Sequence, residues 1–378
     1  MEIETIEAVP LRRELDGTFA NAQKWIDSRE YCLVRIETVD GTVGWGECWG
    51  PVAGNRELIE EYVAPWLTGQ RVDDVERIHD ELVFKLRSSY HSFVPVSVVS
   101  GIDIALWDAY GKSVDRSVSR LLGGRYREEV RAYATGHFFR DVEEFETLQS
   151  IIADEARGHV DAGFTALKQK IGLSGHFPWG PEEDIELVRT VREAVGDEID
   201  LMVDANHAYD IATAKRVACG IEDLDVRFFE EPVRPEIAYY SRLKEDVTVP
   251  IAGGESWAFQ HEFNRVLSEN AADYVQPDVT SAGGITSTER VATLADSENV
   301  QCLPHVFGSA IALAASLQVI ATIPGEPMLE FDRTPNPIRE DLAADPITND
   351  GDVVRIRDRP GLGIEIDEAV LESFRADG

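Results

Sequence analysis

Two lysines one residue apart interrupt an apolar run, Ala166-Leu167-Lys168-Gln169-Lys170-Ile171. In a strand successive side chains point to opposite faces, so Lys168 and Lys170 share one face. On a buried face two ammonium groups are costly unless anions stand beside them. An edge strand with solvated surface lysines would avoid that cost. The composition speaks against it, because the chain holds only seven Lys against 29 Arg. A pair in one apolar strand is then unlike decoration.

Acids recur further along. Asp204, Glu230 and Glu255 lie 26 and 25 residues apart, each at or near the C-terminal end of an apolar, strand-like segment. That interval is about one βα unit. Carboxylates at adjacent strand ends repel one another unless a cation joins them. Three of them, with room for further oxygens, suit octahedral Mg²⁺. Any one alone would more simply cap a helix or face water. Asn206 stands two residues after Asp204. Asp278 and His305 end the next two strand-like segments, where a carboxylate can hold an imidazole, fix its tautomer and raise its basicity. Glu330 ends the last. Among acids and near a metal-bound anion, it can stay protonated and donate a hydrogen bond.

These residues need a frame that brings strand ends together. Strand-like segments at 130–135, 166–171, 200–206, 227–232, 250–255, 274–279, 301–305 and 328–332 alternate with amphipathic stretches such as 182–195, 211–221, 238–245, 284–297 and 309–322. Eight strands with helical connections predict an α/β fold, a (β/α)₈ TIM-like barrel with its chemistry at the C-terminal strand ends. A doubly wound open sheet is the alternative. It would carry a Gly-rich phosphate loop after its first strand, and Thr135-Gly136 is no such loop.

Before residue 125 the pattern differs. Residues 32–39 and 43–48 alternate around Asp40-Gly41 as a hairpin. A helical period begins at Glu57, 96–110 has a strongly apolar face, and Leu121-Leu122-Gly123-Gly124 stops the next helix. This predicts an α+β capping domain over 1–125, a catalytic barrel over 126–345, and a segment 346–378 that packs back to complete the cap.

Hydrophobic content of 43% indicates a folded chain, and the net charge of −34 argues against nucleic-acid or anionic-membrane partners. The acids run through periodic apolar segments, which weakens a disordered reading. A hydrated acidic surface in a salt-rich cytoplasm fits better, and scarce lysine fits the same halophilic habit. Cys32, Cys48, Cys219 and Cys302 form no C-x-x-C pair and read as buried free thiols. The first residues lack a signal-peptide pattern, and the apolar run 310–323 is too short to span a bilayer. A soluble cytoplasmic protein is expected.

Ser100-Gly-Ile-Asp-Ile-Ala-Leu-Trp-Asp108, Leu121-Leu-Gly-Gly124, the lysine pair, the three acids and the Asp278/His305 pair together resemble the enolase superfamily, mandelate racemase subgroup, through nearly the whole chain. The resemblance implies abstraction of a proton α to a carboxylate of a sugar acid or its lactone. Lys168 would be the base, kept neutral by Lys170 and the metal. Lys170 would stabilise the enediolate. His305, held by Asp278, would stand on the opposite face as second base or as acid. Asn206, His207, Lys170 and Glu330 would bind substrate. Segments 130–136, 204–209, 253–257, 329–337 and 360–366 resemble those of the subgroup's sugar-acid lactone cycloisomerases, which implies β-elimination to a 3-deoxy-2-keto acid. Dehydration of an aldarate or aldonate, and racemisation or epimerisation of a 2-hydroxy acid, share the same intermediate. A binding protein without turnover would have lost a ligand or base, and none is missing. A homo-oligomer is also implied. Residues 173–181 look longer than the family's loop, and 14–29 is expected to be a loop over the active site.

The acidic surface yields a first prediction. The melting temperature should rise by several degrees as KCl increases from tens of millimolar to about molar, because self-repulsion is screened. A flat or falling curve would remove the halophilic reading.

Overall fold

The computed structural model describes residues 1–90 and 95–376. The chain opens with an antiparallel meander of β1 (Ile3–Ala20), β2 (Trp25–Thr38) and β3 (Val43–Cys48). The helix Val96–Ser113 lies on its face. Glycines permit that closeness: a Cβ at Gly46 would stand 1.9 Å from the Gly101 carbonyl oxygen, and one at Gly101 2.3 Å from Cys48 Sγ. Asp40-Gly41 makes the expected turn, with Gly41 at φ +83.

Of residues 14–29 only 21–24 are a loop. The others are the far end of a ribbon in which β1 and β2 stay paired out to Ala20↔Trp25, with one irregularity between Glu14 and Phe19 around Gly17 at φ +100. The ribbon survives because its tip is anchored. Ala20 and Phe139 exchange backbone N–H···O bonds of 3.0 and 2.8 Å. His176 Nε2 lies 2.8 Å from the Asn21 carbonyl oxygen. Phe177 and Trp179 stack at 4.5 Å, and Trp25 packs against His176 and Phe177. The segment 173–181 therefore serves as the clamp for the ribbon tip.

Eight parallel strands follow: β4 (Glu129–Thr135), β5 (Ala166–Lys170), β6 (Asp200–Asp204), β7 (Val226–Glu230), β8 (Ile251–Gly253), β9 (Tyr274–Val275), β10 (Gln301–Cys302) and β11 (Leu329–Asp332). Helices connect each to the next, and β11 pairs with β4 to bring the last strand beside the first. After β11 the barrel's final connection is only the five-residue helix Pro337–Asp341. Strands β8 to β10 are shorter than the sequence suggests, because the polar residues at their ends turn onto local partners. Asp278, for example, accepts hydrogen bonds from Thr280 N and Oγ1, both 2.6 Å, instead of extending the ladder.

Tyr133, Ala166, Met202, Phe228, Ala252, Leu303 and Met328 fill the barrel as one buried apolar cluster. The helix Ala310–Ile320 is buried on every side, as a helix without a polar face must be. The tail first pairs with the barrel: β12 (Asn349–Asp350) and β13 (Val353–Arg355) form a hairpin whose second strand runs antiparallel to β4. It then crosses to the N-terminal region, where Leu362 N donates to Asp108 Oδ1 at 2.8 Å and Ala376 N donates to the Pro10 carbonyl at 2.9 Å. All four cysteines are free. Cys32, Cys48 and Cys302 are buried as expected, but Cys219 is exposed on the helix Ile211–Gly220. No helix of the described residues is long and apolar enough to cross a membrane.

The clamp can be tested through Gly175. A Cβ there would meet the Ala22 carbonyl oxygen at 2.2 Å, and that backbone must move. Gly175→Ala should speed tryptic cleavage after the exposed Lys24 by about 5- to 30-fold, the equivalent of roughly 1–2 kcal/mol of local opening. Unchanged cleavage would show that the tip is held without the clamp.

Candidate active site

The site stands one layer above the apolar floor of the barrel. Side chains two residues apart on a strand point the same way. Two residues beyond Ala166, Met202, Phe228, Leu303 and Met328 come Lys168, Asp204, Glu230, His305 and Glu330. All five are buried. Lys170 lies one step further along β5 and is also buried. Register places the groups side by side: Lys170 is the Cα partner of Asp204, and Asp204 of Glu230.

Both lysines point inward and both are answered by carboxylates. Lys168 Nζ donates to Glu230 Oε1 and Oε2 at 2.7 and 2.8 Å, and lies 2.8 Å from Glu330 Oε1. Lys170 Nζ donates to Asp204 Oδ2. Burial disfavours the charge of Lys168, but Glu230 and Glu330 outweigh it and hold the ammonium well above the usual lysine range. Burial also disfavours the charge of Lys170, and Asp204 leads the charges that raise it above the usual value. These carboxylates favour the ammonium form of Lys168; the neutral base expected belongs to a site in which a bound cation also draws on them. Here the lysines themselves neutralise the acid cage. Burial favours the acid form of Glu330, while Lys168 and His305 act the other way and lower it from the usual carboxylate value.

Asp278 and His305 form the expected pair, with His305 Nδ1 2.7 Å from Asp278 Oδ2. The other ring nitrogen, Nε2, faces Glu255 Oε2 at 2.9 Å and Glu330 Oε2 at 3.8 Å. Burial lowers the basicity of His305, but Glu255 and Glu330 lead the charges that raise it well above the usual value. Glu330 thus faces Lys168 through Oε1 and His305 through Oε2.

Asp204, Glu230 and Glu255, expected to share one ion, stand at or just beyond the ends of the adjacent strands β6, β7 and β8. Each is turned onto a cation of its own: Lys170, Lys168 and His305 respectively. The donor set still suits a hard divalent ion, being three carboxylates with no thiol among them. Buried polar atoms without a hydrogen-bond partner also remain here, Asn206 Oδ1 and Gln276 Oε1. Asn206 borders a cavity of about 420 Å³ with Glu255, Ser256, Trp49 and the ribbon residues Gln23 and Lys24. His207 does something else. Its Nδ1 lies 2.8 Å from the Val233 carbonyl oxygen, and its Nε2 2.9 Å from both Ser256 Oγ and Glu231 Oε1. Burial opposes its charge, but Glu231 pushes it up to about 9. Both ring nitrogens are spent on the loop, so His207 shapes the site's wall and offers substrate no free nitrogen.

Several site neighbours escaped sequence reasoning. Gln276 Nε2 donates to Glu230 Oε2 at 2.7 Å. The two-residue rule would have found it, because it follows Tyr274, which packs on the floor. From the cap, Gln23 Nε2 donates to the Asn206 carbonyl at 3.0 Å, and the Trp49 ring stands edge-on to His305 at 6.2 Å. Glu47 is fully buried at the N-terminus of the helix Ala310–Ile320, accepting from Ser309 N at 3.1 Å and Ala312 N at 3.3 Å. Burial pushes its carboxyl up to about 7, against those hydrogen bonds. No sequence signal marks such a cross-domain contact.

Residues 152–370 match the family model described as Enolase C-terminal domain-like, and residues 5–123 match the mandelate racemase / muconate lactonizing enzyme N-terminal domain. D-galactarolactone cycloisomerase of Agrobacterium fabrum is 40% identical, with 99% of each chain covered. Arabinonate dehydratase of Saccharolobus solfataricus is 33% identical over 92% of this chain and 91% of its own. Among solved structures, the 3,6-anhydro-D-galactonate cycloisomerase from Zobellia galactanivorans matches with a TM-score of 0.89 at 34% identity, covering both chains entirely. A racemase from Streptomyces coelicolor with bound magnesium matches at 0.87 and 25% identity, over 99% of this chain and 100% of that one. With the cap, the barrel and the full length all matched, the chain belongs to the enolase superfamily.

Proposed function

We propose that the protein is a Mg²⁺-dependent sugar-acid lactone cycloisomerase, similar in reaction to D-galactarolactone cycloisomerase. The observation that carries the reading is the Lys168–Glu330–His305 array, in which Lys168 Nζ lies 2.8 Å from one oxygen of Glu330 and His305 Nε2 lies 3.8 Å from the other. The full-length relation to a curated lactone cycloisomerase supports the choice of substrate class. Asp204, Glu230 and Glu255 would hold the ion, which when bound supplies positive charge against the substrate carboxylate. It would also compete with Lys168 and Lys170 for the carboxylates that favour their ammonium forms.

Lys168 Nζ then takes the proton α to the carboxylate, and the electron pair moves toward that carboxylate. Lys170 offsets the negative charge. The β carbon–oxygen bond breaks, and the lactone ring oxygen leaves as a carboxylate. The resulting enol gains a proton at carbon while its hydroxyl gives one up, and becomes the 3-deoxy-2-keto diacid, an isomer of the lactone acid. His305, oriented by Asp278, stands on the other face. A carboxylate leaving group needs little protonation, whereas hydroxide needs a general acid. His305 with Asp278 could supply that acid, and together with the arabinonate dehydratase relative this keeps sugar-acid dehydration as the second reading.

The test compares galactarolactone and galactarate, with Lys168→Ala and His305→Asn beside the unsubstituted enzyme. The expected result is 2-keto acid from the lactone, with Lys168→Ala slower by about 10²–10⁴-fold. Keto acid from galactarate alone would establish the dehydratase. Deuterium exchange and racemisation in D₂O without keto acid would defeat elimination altogether. Full activity in both variants would defeat the site.

The cation has its own check. Exhaustive chelation should abolish turnover, Mg²⁺ should restore it, and Asp204→Asn should prevent the recovery. Undiminished turnover after chelation would remove the metal from the proposal.

A further inference from the structure

Behind the lysine strand lies a second group of ionisable side chains that the proposed reaction does not use. His137 follows β4 and is fully buried, with its backbone in the left-handed region at φ +56. Glu155 and His159 lie one turn apart on the helix Phe145–Asp161, a spacing that puts both on one helix face. One ligand atom from each of the three falls within 4.8 Å of the other two. We propose that His137, Glu155 and His159 form a transition-metal site, of the class filled by Zn²⁺, separate from the carboxylates at the barrel mouth.

Three observations support the assignment. First, His159 Nδ1 and His137 Nε2 face each other at 3.3 Å. Two imidazole nitrogens bound to one tetrahedral ion at about 2.0–2.1 Å stand roughly that far apart. Second, His137 Nδ1 lies 3.2 Å from the Lys168 carbonyl oxygen. That contact places the ring hydrogen on Nδ1 and leaves Nε2 as a lone pair. A ligating histidine that donates its other N–H to a carbonyl is the usual outer arrangement. Third, the space is kept open. A Cβ at Gly136 would stand 2.8 Å from Glu155 Oε1 and 3.2 Å from His159 Cε1.

The surrounding charges set the chemistry. His159 stands against His137 and beside Glu155. Arg140 pairs with Glu155 Oε2 at 3.1 Å, and His137 N donates to Glu155 Oε1 at 2.8 Å. Oε1 keeps a second lone pair for an ion. Arg333 faces His159 from beyond β11. These cations disfavour a hard ion held by charge alone. Two neutral imidazoles and one carboxylate instead suit a borderline ion such as Zn²⁺. The same ion would tie the loop after β4 to the helix and, through His137, steady the main chain at Lys168. The rival arrangement is a simple N–H···N bond from His159 to His137.

The experiment strips the full-length protein of metal, saturates it with Mg²⁺, and titrates Co²⁺ as a visible probe. One equivalent should bind with the strong absorption of a four- or five-coordinate ion. His159→Gln should abolish that band, and Asp204→Asn should leave it. X-ray absorption of the zinc-loaded unsubstituted protein should count two imidazole ligands, a measure that needs no variant to fold. No stoichiometric binding in the presence of Mg²⁺, a signal that follows Asp204→Asn, or fewer than two imidazoles would each overturn the site in favour of the N–H···N bond.

Discussion

Two ammonium groups on the inward face of one buried strand are the constraint from which this structure follows. Lys168 and Lys170 cannot be left unpaired there. Removing one partner of such a buried pair typically costs about 3–5 kcal/mol. The carboxylates that answer them come from β6, β7 and β11. Glu330 reaches Lys168 because β11 returns to pair with β4, the neighbour of β5. Electrostatic satisfaction and barrel closure are therefore one requirement. The same compensation explains why the acids are spread over several cations and why they favour the ammonium form of both lysines.

The cap contributes through few, well-buried contacts. Its ribbon tip reaches the loop after β6 through Gln23, and Trp49 stands against His305. Glu47 accepts the free N–H groups at the start of the helix Ala310–Ile320, where a helix favours negative charge. That helix begins just after the His305 loop, so the cap helps fix the loop without touching the imidazole's protons. Roles are thus divided: strand ends hold the charged groups, and the ribbon and its clamp roof them over.

Much of this was legible in sequence because period and spacing are physical. Lys168 and Lys170 on one face, acids at one-unit intervals and an Asp before a His all follow from strand alternation and barrel repeat. The ribbon was not legible. Its β1 half carries Arg12, Arg13 and Glu14 on a two-sided, solvated stretch, where alternation is lost and pairing is set by a distant clamp. Glu47 was hidden for a related reason, since its partners lie some 260 residues away. His207 misled because a residue inside a site motif can be spent on holding the loop. Strand lengths β8 to β10 were overestimated where polar ends chose local hydrogen bonds over the ladder.

The path of the tail carries a consequence for how the chain is made. Residues near 375 pair with Leu11 and Pro10, although the whole barrel is threaded between them. A ribosome adding about 5–20 residues per second delivers those partners only after roughly 20–70 s. For that interval the edge of the N-terminal sheet is a nascent surface without its covering helix, and the barrel emerges before it. Only the closing of the cap by its tail is consequently a late event. During translation its open edge is the place where a chaperone, or another nascent chain, has time to bind.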